Sequence, residues 1–317
     1  MRPFILAALV AVAASVSGCA AATTSTPSDS ADEPLIHAPT DPDAPASTST
    51  DARVYEIRSI DFGDETSDAW MALGLDIDDT ATTRDSTNVC QLAPGAAPNT
   101  PLDGNGGIDN SFGENLLPIL VTLTGSDGTA RLNASFVTGG PVNRFEVYGF
   151  DLTLGDATVM GSFDGAPFAG AWMTGGTVVG APSAQEAQLL LGMATLNGTQ
   201  TAELTFPITH IQMVAPLTGD GSGVQHGVLS AIMPTAEAVT AVERFARALD
   251  PDVGPGVLQT IDQQIAQASD ILVDGTQDPS KPCDGISIGL GFTAAVVTPP
   301  RALSPSVPAE ASFARAH

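Results

Sequence analysis

The chain has 317 residues, 43% of them hydrophobic, which is enough for one large domain or two modest ones. Acidic residues outnumber basic ones by 36 to 11, and the resulting net charge of −25 repels nucleic-acid phosphates, so DNA and RNA are excluded as partners. The same charge favours cations, although it also serves solubility. Aromatic residues make up only 5% of the chain, which disfavours carbohydrate recognition.

Residues 1–18 have the pattern of a secretory signal peptide. Arg2 supplies the positive start, and the apolar run at residues 4–14 is too short to span a bilayer. The end of this segment reads Val16-Ser17-Gly18-Cys19. This motif resembles the lipobox of bacterial lipoproteins. The resemblance implies cleavage before Cys19 and a lipid anchor, with palmitate-type acyl chains, on its thiol. The alternative is an ordinary signal peptide followed by an unmodified cysteine.

Residues 19–51 predict a flexible tether behind the lipidated cysteine. They are rich in Ser, Thr, Ala, Pro and Asp, and such a segment buries too little apolar surface to offset its chain entropy. In bacterial lipoproteins the residue after the cysteine influences sorting, and Ala20 is not the aspartate that favours the inner membrane. We therefore expect the outer membrane. Residues 298–317, with four prolines, predict a loose C-terminal tail.

Residues 52–297 predict a single, mainly β domain, either a β-sandwich or barrel-like. Short apolar segments recur every ~8–12 residues and are separated by turn residues, which is typical of such folds. The run at 116–124, in which Pro118 suggests a sheet edge, forms a predicted hairpin with residues 130–137. The predicted strands are residues 53–60, 70–77, 116–124, 130–137, 144–154, 158–163, 168–173, 177–179, 187–196, 201–208, 227–232 and 286–297.

The hydrophobic period changes at residues 235–273, where a pair of amphipathic helices is expected. Apolar residues recur there at spacings of three and four, and Thr235 is a candidate cap for the first helix. A break is predicted at residues 250–255, which contain two prolines. The pair is too small to bury a core alone, so we expect it to pack against the β domain.

Two cysteines remain once Cys19 is set aside. Cys90 lies in a long irregular excursion at residues 80–102, and Cys283 lies just before the last predicted strand. In an oxidising envelope two such cysteines most simply pair, so we predict a structural disulfide between them. The chain lacks a Cys-x-x-Cys motif, which disfavours a metal or catalytic role for either thiol.

The stretch at residues 103–115 is the strongest candidate for a site. Asp103, Asn105, Asp109 and Glu114 occupy positions 1, 3, 7 and 12 of a cation-binding loop, and Ca²⁺ prefers such oxygen ligands. The stretch loosely resembles the Asp/Asn-rich calcium loops of EF-hand, dockerin and thrombospondin type-3 proteins. It departs from them at positions 5 and 6, which are Gly107 and Ile108, so an EF-hand is not expected.

The remaining ligands of a calcium site are expected from the acidic turn at residues 76–79. Asp76 and Asp78, with Asp79 beside them, would complete the coordination if the disulfide returns the chain to this turn. The alternative is that residues 103–115 only form turns, because Asp-Gly-Asn-Gly-Gly is good turn chemistry by itself.

Motifs for nucleophilic catalysis are absent from the sequence. It contains neither a nucleophile elbow in a strand-to-helix context nor His-Glu-x-x-His. Ser222 and His226 lie four residues apart on a glycine-rich loop, but this spacing fixes no geometry, and we expect His226 to face solvent. His210 is expected on the polar face of a strand.

Together these features lead us to expect a lipid-anchored envelope protein with a non-catalytic binding or structural role and a calcium-stabilised loop. The membrane is then its partner through the anchor. The runner-up is a metal-assisted envelope hydrolase that uses acidic residues near 76–79 and 103–114. Carboxylates around an open, deep pocket would favour the hydrolase, and a closed loop would favour the structural role.

Overall fold

The computed structural model describes residues 36–63, 68–83, 85–96, 103–124, 142–196 and 200–297. The strands are β1 Ala52–Asp61, β2 Arg144–Tyr148, β3 Asp156–Phe163, β4 Ala166–Pro167, β5 Ala171–Thr174, β6 Thr177–Gly180, β7 Ala187–Leu196, β8 Gln200–Pro216, β9 Gly223–Pro234 and β10 Gly285–Val297. The α-helices are α1 Leu117–Thr124, α2 Thr235–Leu249 and α3 Pro255–Gln267. Short 3₁₀ turns lie at Ala69–Ala72 and Asn105–Gly107, and a π-helical turn at Phe112–Leu116 leads into α1.

The strands form one antiparallel sheet that closes on itself, which confirms the mainly β, barrel-like expectation. Strands pair in the order β2-β1-β10-β9-β8-β6-β5-β3, and the pairing of β3 with β2 joins the two ends of this path. Strand β4 pairs with β3, and β7 pairs with β8 outside the ring. A closed ring leaves few exposed edge strands, which protects such a sheet from pairing with other chains.

The interior of the ring is built by alternation along each strand. In β1, Tyr55 and Ile57 are buried, and a bulge at Arg58 shifts the register so that Ile60 is buried as well. Tyr55 and Phe145 of β2 stack with ring centroids 4.7 Å apart. The inward side chains of these strands belong to one continuous hydrophobic core.

The late helical pair occurs where it was predicted and joins the same core. The buried faces of α2 and α3 include Val242, Phe245, Leu258 and Ile261. The prediction that Thr235 caps α2 is wrong, because the N-cap is Pro234 and makes no side-chain cap bond. The Thr235 hydroxyl lies 2.7 Å from that of Ser269 instead.

Two predicted strands near the candidate site are not strands. Residues 70–77 form the end of a 3₁₀ turn and then a loop, because Gly74 has φ +121°, a conformation that L side chains rarely adopt. Residues 117–124 form α1, since a continuous apolar run fits a buried helix as well as a strand. The predicted partner at residues 130–137 lies outside the described residues.

Residues 36–51, assigned to the tether by their composition, lie against the outside of the ring. The Ile36 carbonyl accepts the Asp76 N–H at 2.8 Å, and Thr158 of β3 exchanges backbone bonds with Pro45 and Ser47. Ala38 packs on an outer apolar layer that we call the apolar cover, formed by Leu75, Trp172, Val179 and Val214. The folded body of the described protein therefore begins by residue 36.

Candidate metal centre

Two loops cross the outer face of β9 and β10. The first, at residues 73–77, passes so close to the sheet that a Cβ at Gly289 would lie 2.1 Å from the Leu73 carbonyl oxygen. The Leu75 N–H donates to the Ser230 hydroxyl at 2.7 Å. Glycine is required at position 289 because any side chain would push this loop off the strand.

The second loop, at residues 103–111, lies along the first and is held by Asn110. The Asn110 amide N–H₂ donates to the carbonyls of Trp70 and Leu73 at 3.1 and 3.0 Å, and its carbonyl accepts the N–H groups of Gly113 and Gly289 at 3.0 Å each. Asn110 is fully buried and joins both loops to β10, and three of its four bonds are themselves buried.

Together the two loops bring three predicted ligands together. One carboxylate oxygen from each of Asp76, Asp78 and Asp109 lies within 4.8 Å of the other two. Asp109 is 1% exposed and Asp76 is 9% exposed. Residues 76–79 and 103–114, which the sequence could associate only by supposing a return of the chain, are thus adjacent in the fold.

Asp103 and Asp270 extend this group, and we call the five aspartates the acid cluster. The pKa of Asp103 is raised to about 8 and that of Asp270 to about 7, chiefly by burial and in smaller part by the charge of Asp78. Burial also raises the pKa of Asp109 well above its usual range, and the charges of Asp78, Asp103 and Asp270 add to this effect. Burial is also the main cause that raises the pKa values of Asp76 and Asp78.

Within the described residues the acid cluster has no Lys or Arg partner, although the His37 imidazole lies near Asp76 and lowers the pKa of that carboxyl. The Lys and Arg ion pairs found there involve other carboxylates, as in the Arg144–Glu56 pair at 2.5 Å. Backbone N–H groups do approach the cluster: Ile77 donates to Asp109 at 2.6 Å, Thr80 donates to Asp78 at 2.8 Å, and Thr82 donates to Asp103. These bonds satisfy part of each carboxylate without supplying a positive charge.

Among the fully buried side-chain oxygens of the acid cluster, Asp76 Oδ1 stands out. Asp76 Oδ1 is buried and has no hydrogen-bond partner among the described residues. A buried carboxylate oxygen without a partner is costly, and either protonation or a bound cation relieves that cost.

Asp270 and Gln277 also belong to this site, although the sequence did not predict either of them as a site residue. Asp270 accepts the backbone N–H of Ser287 at 2.9 Å together with the Ser287 hydroxyl. The Gln277 amide donates to Asp78 at 2.6 Å and to the Asp270 carbonyl at 3.1 Å. The only sequence signal was the Ser269-Asp270 pair after α3, which looks like any polar helix end.

Two of the predicted ligands are not among the grouped carboxylates. Asn105 is exposed on the 3₁₀ turn Asn105–Gly107, and Glu114 lies in the π-helical turn that leads into α1. Glu114 accepts a hydrogen bond from the Asn115 amide at 3.4 Å. The linear twelve-residue frame therefore does not describe this arrangement, in which the carboxylates come from three separate segments.

The predicted disulfide between Cys90 and Cys283 is present, with Cα atoms 5.1 Å apart and a sequence separation of 193 residues. Gln91 bonds through its backbone to Lys281 at 2.7 Å and to Cys283 at 2.8 Å, so the excursion is pinned to the loop before β10. The chain-entropy model assigns about 5 kcal/mol to closing so long a loop.

The remaining candidates form no second polar centre. Ser222 is exposed and donates to Asp220 at 2.7 Å, and His226 is exposed on β9, as expected. His210 lies in β8 at a bulge, has φ +52°, and its ring packs over Gly275.

Comparisons with protein-family models, with curated proteins and with solved structures found no match for this chain. Within the described residues, the helices are all too short or too polar to cross a membrane. Cys19 lies outside those residues.

Proposed function

We propose that this protein is lipid-anchored at the bacterial envelope, through Cys19 and in the outer membrane, with a non-catalytic binding or structural role. The support is the signal-like N-terminus, the lipobox resemblance and a disulfide suited to an oxidising compartment. The segment between the anchor and the body is short, because residues from 36 onward already pack on the ring.

We further propose that a calcium ion holds the two crossing loops together. The observation that carries this proposal is the buried, unpartnered Asp76 Oδ1 beside the carboxylates of Asp78 and Asp109. Ca²⁺ takes six to eight oxygen ligands from carboxylates, carbonyls and water in flexible geometries. Asp103 and Asp270 complete the negative surroundings, and the ion would offset the burial and the repulsion that raise the pKa of these groups.

The enclosure of the acid cluster favours a structural ion over a catalytic one. Asp109 and Asp76 are almost inaccessible beneath the crossing loops. A cavity of about 420 Å³ lies elsewhere, beside the start of α2 and the disulfide, and none of the cluster carboxylates lines it. The runner-up, a metal-assisted hydrolase, would need substrate to reach the ion, so it is the weaker proposal.

Calorimetry on chelator-treated protein tests the ion. We expect Ca²⁺ to bind with measurable heat and, at about 100 times its dissociation constant, to raise the melting temperature by about 5 °C or more. Asp109→Asn should abolish both effects. Asp85→Asn, an exposed change in the neighbouring excursion, should abolish neither. If the wild-type protein shows neither heat nor a thermal shift, the calcium proposal is wrong.

Membrane partition tests the anchor. The protein expressed in a bacterium with lipoprotein processing should fractionate with the outer membrane, require detergent for release, and carry a diacylglycerol on Cys19 by mass spectrometry. Cys19→Ser should move it to the soluble fraction without changing its melting temperature. An unmodified Cys19 in mature protein that dissolves in buffer would contradict the anchor while leaving the calcium proposal untouched.

A further inference from the structure

His37 is held beside the acid cluster by its two neighbours in sequence. The Ile36 carbonyl accepts the Asp76 N–H, and the Ile36 side chain fills the space above Gly106, where a Cβ would lie 2.4 Å from it. On the other side, Ala38 packs on the apolar cover. His37 itself is exposed, but it belongs to a segment whose position is fixed.

The imidazole of His37 meets two carboxylates at this point. One ring nitrogen of His37 and one oxygen each of Asp76 and Asp79 all lie within 4.8 Å of one another. Asp76 is the member common to this group and to the buried group with Asp78 and Asp109. It is also the residue whose Oδ1 is buried without a hydrogen-bond partner. Two cation positions with one shared carboxylate are the arrangement found in two-metal centres.

We propose that His37, Asp76 and Asp79 form a second cation position, which takes a divalent transition metal such as Zn²⁺. This proposal depends on the proposed calcium site only because Asp76 would be a ligand of both ions. An imidazole nitrogen favours zinc, cobalt or nickel over calcium, whereas the oxygen-only buried group has the opposite preference. His37, Asp76 and Asp79 would hold the ion, and water could complete its coordination because His37 and Asp79 are exposed.

An ion at this second position would strengthen the attachment of the N-terminal segment to the rest of the domain. The chain on the N-terminal side of His37 leads to the proposed anchor, and Asp79 lies two residues after the loop at 73–77 that covers β10. A transition metal bound between them fastens the membrane-proximal segment to the body of the domain, in addition to the hydrogen bond from Asp76 to Ile36. Removing the metal would weaken that attachment, while the hydrogen bond from Asp76 to Ile36 and the packing of Ile36 and Ala38 would remain.

Cobalt is the probe that tests the second position, because its visible and paramagnetic NMR spectra report imidazole ligation. Full-length protein saturated with Ca²⁺ should bind one equivalent of Co²⁺ and retain its Ca²⁺. His37→Ala should weaken Co²⁺ binding by more than the roughly 10–100-fold that loss of an outer-shell partner costs, and Ca²⁺ binding should be unchanged. His226→Ala, which removes an exposed histidine on β9, is the matched control and should change neither.

Asp109→Asn separates this proposal from the calcium proposal. It should remove Ca²⁺ binding and retain the imidazole-ligated Co²⁺ spectrum. If His37→Ala binds Co²⁺ as tightly as the wild type, or if Co²⁺ displaces Ca²⁺ one for one, the second position does not exist. If Ca²⁺ fails to bind while Co²⁺ still binds through His37, the calcium proposal is overturned and the second position stands.

Discussion

The outside of the ring is covered in two chemically opposite ways. Over β5, β6 and β8 the apolar cover packs Leu75 against Trp172, Val179 and Val214. Over β9 and β10 the same crossing loop is attached by Asn110, Ser230 and the acid cluster. The side chain of Leu75 belongs to the first layer, while its backbone N–H bonds to the second.

The difference lies in what each layer requires in order to be stable. Apolar contact needs only the exclusion of water and is insensitive to ions and pH. The polar layer contains charges that burial opposes, so its stability depends on protonation or on a cation. The loop at residues 73–77 is therefore attached on one side by contacts that do not depend on pH or ions, and on the other side by contacts that do. The following substitutions test the two sides separately.

The largest effect is expected from Asn110→Ala. This change removes four hydrogen bonds of 3.0–3.1 Å and leaves buried backbone groups of both loops and β10 without partners. We expect a loss of about 3–4 kcal/mol in the free energy of unfolding and weaker Ca²⁺ binding. Urea denaturation with and without Ca²⁺ measures both. Asn88→Ala, an exposed site in the excursion, should cost less than about 0.5 kcal/mol.

Leu75→Ala should cost about 2–4 kcal/mol, because it opens a cavity in the apolar cover at a fully buried position. Unlike Asn110→Ala, it should leave the Ca²⁺ affinity within about threefold of the wild type, since the loop backbone keeps its bonds to Ser230 and Asp109. Val179→Ala, at another position of the apolar cover, should likewise lower the free energy of unfolding and leave the Ca²⁺ affinity within about threefold of the wild type. A large loss of Ca²⁺ affinity in both variants would show that the two layers are not separable.

The two layers should also respond differently to pH. Without calcium, the pKa of Asp103 is about 8 and that of Asp270 about 7, against a value near 4 in an unfolded chain. The folded state therefore binds more protons than the unfolded state over this interval, so stability falls as the pH rises from about 4 to about 8. Each ionising group contributes at most about 1.4 kcal/mol per pH unit.

Calcium should remove most of that pH dependence, because the ion favours the ionised carboxylates. Melting temperatures measured between about pH 5 and pH 8.5, with chelator and with Ca²⁺, provide the comparison. Leu75→Ala should shift both curves down without changing their slopes. Calcium-free protein that is equally stable at both ends of the range would contradict the enclosed acid cluster.

The sequence predicts the ring better than it predicts the loops. Strands such as β1, β7 and β10 have alternating or strongly apolar patterns, and the helical pair has a clear period, so local pattern and tertiary packing agree. Residues 70–77 and 117–124 were predicted incorrectly because apolar runs fit several structures. Gly74 has a conformation that only its neighbours across the sheet explain.

The acid cluster could be predicted only in part, for a related reason. The residue types in 76–79 and 103–109 indicated cation ligands. The predicted disulfide indicated that the excursion between these two segments folds back toward the turn at 76–79. Asp270 joins them through pairing of β10 with β9 and the turn after α3, which no local spacing encodes. Asn110 lay within the stretch of interest, but its role depends on carbonyls that are 37 and 40 residues away.

The smallest effect that we predict concerns Gln277, which connects the acid cluster to the disulfide. Its amide donates to Asp78 at 2.6 Å, and its carbonyl accepts the N–H of Cys90 at 2.8 Å. Gln277→Ala should therefore weaken Ca²⁺ binding by about tenfold, as loss of an outer-shell partner does. Gln91→Ala is the matched control, because that side chain also joins the two loops, through Pro279 at 3.0 Å, without touching the cluster.

The disulfide should act on Ca²⁺ through the same glutamine. Replacing Cys90 and Cys283 by serine frees the excursion, so the Cys90 N–H no longer holds the Gln277 carbonyl in place. In a double-mutant cycle, adding Gln277→Ala to the serine pair should then weaken Ca²⁺ binding much less than it does in the oxidised protein. Full additivity would mean that the disulfide stabilises the domain without orienting Asp78, and the acid cluster would then be independent of the redox state.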